Sequence, residues 1–126
     1  MATYLVSAHS RSNFKLWTNT TVRRVLREGG RITGVEVEAF LDGGYAGVVN
    51  VTSSSGRVIL SAGTFGSSKI LFRSGIGPED QLEVVQNSEA DSDTMIAKES
   101  WINLPVGYNL IDHVNVGVLA CLEELS

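Results

Sequence analysis

The chain has 126 residues, of which 43% are hydrophobic and 19% charged, a composition typical of one globular domain with a sizeable core. No apolar run in the sequence approaches the roughly 20 residues that cross a bilayer, and residues 1–11 lack the basic and apolar regions of a signal peptide. The formal net charge is −4, and the single cysteine, Cys121, excludes an internal disulfide.

Basic side chains cluster in the first half of the chain. Four arginines lie close together: Arg23, Arg24, Arg27 and Arg31. Such a cluster can bind anions. Because Gly29 and Gly30 interrupt it and few aromatic residues are interleaved, we interpret it as the solvated face of a hairpin. We therefore expect no nucleic acid as a partner, and the absence of a long apolar run predicts no membrane partner.

The first half of the sequence predicts a helix followed by a small antiparallel meander. Apolar residues fall on one helical face within residues 2–11. Runs rich in β-branched or alternating residues predict strands at 14–18, 21–27, 31–40 and 48–52, separated by turns rich in glycine or serine. Apolar and acidic residues alternate along 35–39, which indicates that one face of the sheet is in water.

A different pattern begins at residue 57. The segment "RVILS", residues 57–61, contains an uninterrupted apolar run, which is typical of a strand covered on both faces. It leads through Gly63 into a helix expected to begin near Ser67, with Gly75 at its C-terminal cap. In α/β proteins such a strand–turn–helix unit holds nucleotides, because small residues let the backbone approach the ligand. On spacing alone, a plain connection without a ligand is the favoured alternative.

Three motifs resemble the glucose-methanol-choline (GMC) flavoprotein oxidoreductases. The segment "GTFGSSKILFRSGIG", residues 63–77, resembles the second signature of that family at every constrained position. The segment "LPVGYNLIDH", residues 104–113, is similar to the block that follows this signature, and residues 11–37 are similar to the family's meander. The motifs occur in family order, and within the family they look most like the flavin domain of a fungal cellobiose dehydrogenase.

The resemblance implies the fold and the domain organisation. It implies an α/β class, here an α+β fragment that forms part of a Rossmann-like FAD-binding domain with an antiparallel β-meander. Residues 1–115 would be an internal segment of that domain, and residues 116–126 a tail that does not continue the family pattern. Within the segment, the resemblance assigns the meander to 14–52, the strand–turn–helix unit to 57–77 and the "NLxDH" block to 104–113.

The resemblance also implies FAD as cofactor and assigns the residues that bind it. These cofactor-binding residues are Thr21, Val22, Ser61, Ala62, Gly63, Asn109, Asp112 and His113. In the family the meander reaches the adenine through backbone groups, the turn after the buried strand lies beside the adenosine and phosphates, and the last block lies towards the flavin ring. The chain lacks the GxGxxG turn and the catalytic histidine of the family, so no catalytic residue is assigned.

The remaining candidates favour structural roles. His113 could act as a general base, but pairing with Asp112 or with a backbone carbonyl is the favoured interpretation. His9 is expected at the surface of the first helix, and Trp101 is expected to pack rather than to stack on a cofactor. Neither histidine has companions at ligand spacing, so no metal site is predicted.

Two functions remain open. The first is a segment of an FAD-dependent GMC oxidoreductase that oxidises an alcohol or a sugar such as cellobiose by hydride transfer to the flavin, with little activity in the isolated chain. The second is a truncated, non-catalytic paralogue or a mispredicted gene product that binds a nucleotide or a partner weakly. An open sheet edge would then allow self-association. The fungal resemblance and the sequons at Asn19 and Asn50 suggest an extracellular protein, whose export would need an upstream segment.

Overall fold

The computed structural model describes residues 2–112, in which helices flank a small sheet. The regular elements are α1 (Ala2–His9), β1 (Thr20–Glu28), β2 (Arg31–Ala39), β3 (Gly47–Asn50), α2 (Gly63–Arg73) and α3 (Glu79–Gln86). Two short 3₁₀ turns follow, at Ser92–Thr94 and Lys98–Ser100. Within the described residues no helix combines the length and the apolar character that a bilayer crossing requires.

The three strands form an antiparallel meander in the order β1-β2-β3. Glu28 lies opposite Arg31 across a tight turn, in which Gly29 has a φ of 58°. Left-handed backbone is easily reached by glycine, which explains the glycine at position 29 of this turn. The predicted class, helices combined with an antiparallel meander, is confirmed.

The strand predicted at residues 14–18 is not formed. These residues pair with no other strand of the described chain, and the ring of Trp17 instead stacks on Tyr45 with 5.2 Å between centroids. A β-propensity becomes a strand only where a neighbour supplies backbone hydrogen bonds. Here the aromatic contact holds the segment against the β2–β3 turn.

The buried strand predicted at residues 57–61 is also absent. The backbone there forms no ladder with the described strands, and Ile59 is 86% exposed. An apolar run is buried only when other elements cover both of its faces, and no described element does so. The apolar side chain of Ile59 in this run is therefore exposed rather than buried.

The core lies between the sheet and the two C-terminal helices. Its buried apolar side chains are Val25, Val37, Ile70 and Leu82. Helix α2 packs on β1 and on α3. Beyond α3 the chain returns to α2, where Ile76 and Ile102 form a parallel bridge. The apolar core of the described residues is small, and hydrogen bonds and ion pairs between elements add to the packing.

Helix α2 ends where predicted but begins earlier. Gly75 has a φ of 69° and its N–H donates to Phe72 O at 2.9 Å, while Ile76 N–H donates to Leu71 O at 3.0 Å. These two bonds form a Schellman motif, which confirms Gly75 as the terminating glycine. The helix starts at Gly63 rather than near Ser67, which lies in the second turn and whose Oγ accepts the Ala62 N–H at 3.1 Å.

Candidate functional site

The N-terminus of α2 offers free backbone donors. Ala62 occupies the N-cap position, and no side chain caps the helix there. The N–H groups of Gly63, Thr64 and Phe65 consequently lack intrahelical acceptors. Gly63 has a φ of 76°, and no atom lies within 4 Å of the position that a Cβ would take. An uncapped helix start with open space beside a glycine fits a phosphate or a ribose, because the amides and the helix dipole favour anionic groups.

Thr21 and Val22 lie near the start of β1. Thr21 pairs with Glu38 and Val22 with Val37, and both residues are half-buried. A register shift follows immediately, so that Arg23 has no partner in the ladder. A bulge of this kind disrupts the backbone pairing locally and re-aims the neighbouring groups. The two residues thus border a break in the ladder at which backbone groups could meet a ligand.

The segment 104–112 folds over the outer face of α2. Gly107 and Asn109 adopt left-handed backbone with φ values of 85° and 58°. This segment, α2 and α3 line an open groove of about 840 Å³. Its walls include Phe65, Lys69 and Phe72 from α2, and Tyr108, Asn109 and Ile111 from the segment. Asp112 is exposed, and His113 lies outside the described residues.

The structure brings only some of the predicted residues together. Asn109 reaches the groove along α2, and Thr64, next to Gly63, lines the same groove. Thr21 and Val22 lie on β1, and neither they nor Ser61–Gly63 belong to the groove lining. The predicted cofactor residues therefore form three separate patches on the described chain rather than one enclosed pocket.

Three of the four clustered arginines, Arg23, Arg24 and Arg27, are partly buried, contrary to the prediction of a solvated face, whereas Arg31 is exposed as predicted. Arg23 donates to both carboxylate oxygens of Asp93 at 2.8 and 3.0 Å. Arg24 donates to Thr94 O at 2.5 Å and to a carboxylate oxygen of Glu36 at 2.6 Å. Because the segment after α3 returns to β1, a part of the chain distant in sequence supplies their partners. Asp93 raises the pKa of Arg23, and burial lowers the pKa of Arg27.

Other singled-out side chains have structural contacts. Trp101 donates its indole N–H to Ile96 O at 3.2 Å, and Lys98 Nζ lies 5.5 Å from its ring centroid. Hydrogen bonds to Glu79 and Glu83 raise the pKa of Lys98. His9 is exposed at the end of α1. No group of three or more metal-ligating side chains occurs among residues 2–112.

Sequence reasoning missed a polar junction between α2 and β1. Ser74 is 1% exposed, and its Oγ accepts the Val25 N–H at 2.8 Å. Arg27 donates to Ser74 O at 3.2 Å and to Ser100 O. Ser74 stands in the signature-like segment beside Gly75, but nothing in its spacing indicates a partner 49 residues away.

Bacterial enzymes resemble this chain over most of its length. An oxygen-dependent choline dehydrogenase of Vibrio vulnificus is 39% identical over 114 residues, which cover 90% of this chain and 17% of that protein. A 5-(hydroxymethyl)furfural oxidase of Methylovorus sp. is 34% identical over 118 residues, covering 94% of this chain and 19% of that protein. An uncharacterized GMC-type oxidoreductase of Mycobacterium tuberculosis is 33% identical over 111 residues, covering 88% of this chain and 18% of that protein. The chain thus spans less than a fifth of the length of these curated relatives.

These relatives correct one expectation. The extracellular location was inferred from likeness to fungal secreted sugar dehydrogenases, whereas the matching proteins are bacterial choline dehydrogenases and mycobacterial oxidoreductases. The extracellular prediction is therefore wrong, and the fungal source on which it depended is not supported.

The family itself is established by the extent of the match. Residues 1–115 match the profile described as GMC oxidoreductase, which is nearly the whole chain. This range contains the meander, the α2 segment and the block that follows it. The chain therefore belongs to the GMC oxidoreductase family, and its helices and antiparallel sheet form part of that family's N-terminal domain.

Proposed function

We propose that this chain is the part of an FAD-dependent alcohol oxidoreductase that holds the adenosine half of the cofactor. The observation that carries the proposal is the uncapped start of α2, where three amides lack intrahelical acceptors and left-handed Gly63 has open space beside it. Membership of the GMC oxidoreductase family supports FAD as the ligand of these backbone donors. When bound, FAD supplies the acceptor for the hydride of the alcohol.

In this proposal three groups of residues bind different parts of FAD. The amides of Gly63, Thr64 and Phe65 donate to phosphate or ribose oxygens, while Ser61 and Ala62 bring the backbone close to the adenosine. Thr21 and Val22 contact the adenine through backbone groups beside the bulge in β1. In this proposal Asn109 and Asp112 lie towards the flavin ring, and the same role is proposed for His113, which is outside the described residues.

The proposed substrate class is an alcohol. The relatives named above are a dehydrogenase of choline and an oxidase of 5-(hydroxymethyl)furfural, both of which are alcohols. Oxidation of a sugar such as cellobiose is the narrower form of the proposal. Comparing choline, 5-(hydroxymethyl)furfural and cellobiose as reductants of the FAD-loaded protein would separate these forms.

An FAD titration of the monomeric chain tests the proposal. Flavin fluorescence and thermal stability are followed together, because a ligand that binds only the folded state raises the melting temperature. We expect saturable binding with a rising melting temperature. Gly63→Val should weaken binding at least about tenfold, since a branched side chain at a positive φ strains the turn and covers the free amides.

A matched glycine variant supplies the control. Gly30 lies in the β1–β2 turn without a positive φ, and no atom lies within 4 Å of the position of its Cβ. Gly30→Ala should leave FAD affinity unchanged. A folded, monomeric chain that does not bind FAD would contradict the proposal and favour the non-catalytic alternative.

A further inference from the structure

The hydroxyl of Ser74 makes two hydrogen bonds at a buried position. It donates to Ile70 O at 2.6 Å within α2 and accepts the Val25 N–H at 2.8 Å from β1. Ser74 is 1% exposed and Val25 is buried. A buried donor or acceptor that loses its partner pays its full desolvation cost. One small hydroxyl therefore satisfies the backbone of two different elements.

The bond to Val25 takes the place of a strand neighbour. β1 lies at one edge of the sheet, with β2 on its other side. An edge strand presents outward N–H and C=O groups that need partners. Ser74 satisfies one of these outward N–H groups in the middle of β1. This hydrogen bond consequently attaches the outer edge of β1 to the C-terminal end of α2.

Arg27 strengthens the same junction. Its Nε donates to Ser74 O at 3.2 Å and its Nη2 to Gly75 O at 3.4 Å, while a third contact reaches Ser100 O. These carbonyls lie at or beyond the C-terminus of α2, where a positive charge is favourable. A side chain of β1 thus holds the same helix end that Ser74 holds through its hydroxyl.

We infer that Ser74 is a positioning residue for the cofactor, because its hydroxyl fixes the meander to α2 and thereby sets Thr21–Val22 relative to Ser61–Gly63. This inference rests on the proposed function. Thr21 and Val22 precede Val25 in β1, with the register shift between Val22 and Arg24 lying between them. Helix α2 runs without interruption from Gly63 to the residue before Ser74. Regular elements transmit the geometry of their junction along their length, so loosening the junction displaces both segments.

The test compares Ser74→Ala with two matched variants in the 126-residue chain. Ser68→Ala removes a hydroxyl that bonds only to Thr64 O within α2. Leu82→Val lowers stability in α3 and removes none of the hydrogen bonds of the junction. For each variant we would measure the melting temperature, the backbone amide shifts and hydrogen exchange, and the FAD affinity well below the melting temperature.

We expect Ser74→Ala to speed exchange of the Val25 amide, to shift the amides of Thr21 and Val22, and to weaken FAD binding about fivefold to tenfold, the order of one lost hydrogen bond. Leu82→Val should lower the melting temperature without changing the affinity, and Ser68→Ala should change neither. Unshifted Thr21 and Val22 amides in folded Ser74→Ala would overturn the inference, as would an FAD affinity equal to that of the unsubstituted chain.

Two outcomes separate this inference from the proposed function. If the unsubstituted chain binds no FAD, the proposed function fails, and the amide shifts alone decide whether Ser74 sets the position of Thr21–Val22. If Ser74→Ala does not fold, Ser74→Cys, which keeps the size and a weak acceptor, takes its place. Failure of both variants to fold would make Ser74 a determinant of folding only and would overturn the positioning role.

Discussion

At the scale of single residues, Gly75 combines a left-handed backbone with close side-chain neighbours. Its φ of 69° is left-handed, and a Cβ there would lie 2.9 Å from Ile96 Cδ1 and Cγ1. Left-handed backbone costs an ordinary residue about 1–2 kcal/mol, and the contact with Ile96 adds to that cost. We expect Gly75→Ala to lower the free energy of unfolding by about 2 kcal/mol, measured by urea denaturation.

Gly30→Ala is the appropriate comparison, because Gly30 has neither a positive φ nor a neighbour within 4 Å. Its free energy of unfolding should change by less than about 0.5 kcal/mol. Equal losses for the two variants would show that the Schellman geometry at Gly75 contributes nothing specific to stability.

At the scale of elements, the Arg23–Asp93 pair links β1 to the turn at Ser92–Thr94 and predicts a dependence on pH. The hydrogen bond from Arg23 holds the pKa of Asp93 below its ordinary value. A carboxyl whose folded pKa is depressed contributes stability above its unfolded pKa of about 3.9 and loses it as the pH falls through the folded pKa. Asp93→Asn should therefore lower the melting temperature at pH 7, and the difference should shrink as the pH falls below about 3.9 and vanish only below the folded pKa of Asp93.

Salt and a second carboxylate test the origin of that difference. Asp93 is 65% exposed, so screening by salt should shrink the effect at pH 7. Glu99→Gln removes an exposed carboxylate that makes no ion pair with the described residues, and it should leave the melting temperature unchanged. A difference in melting temperature for Asp93→Asn that is the same at pH 7 and below the folded pKa of Asp93, and that salt does not reduce, would mean that packing, not the ion pair, is responsible.

The sequence predicts local structure well and distant contacts poorly. The sequence predicted the β1–β2 turn at residues 29–30 and the end of α2 at Gly75, because the conformation of each turn depends on the few residues that form it. The strand expected at 57–61 and the solvated arginines were wrong because both depend on what lies opposite in space. Of the candidate site, the turn at Gly63 could be predicted, although the helix begins there rather than near Ser67. The junction at Ser74 could not be predicted, because its partner is distant in sequence.

At the scale of the whole molecule, much apolar surface is open. Among residues 2–112 the most exposed large apolar side chains are Tyr4, Ile59, Phe65 and Ile111. No described strand pairs with the outer edge of β3, while Ser74 occupies part of the outer edge of β1. Open edges template pairing between chains. We propose that the chain self-associates through β3, and we expect its mass to rise with concentration in sedimentation experiments.

Val48→Lys tests this edge, because a lysine on an edge strand opposes pairing. Val48 is half exposed in β3, and the variant should remain monomeric to a higher concentration. Val84→Lys places the same charge on an exposed position of α3 and should have a smaller effect. If Val84→Lys suppresses association as strongly, general apolar surface rather than the β3 edge is responsible.

The junction at Ser74 also bears on the order in which the chain folds. The β1–β2 hairpin closes across a two-glycine turn, and the Schellman end of α2 forms within a few residues. The bond between Ser74 and Val25 must close a loop of 49 residues. Non-local contacts pay loop-closure entropy before they return any stabilisation, so they form late. The hairpin and α2 should therefore form early, and their docking at Ser74 should set the folding rate.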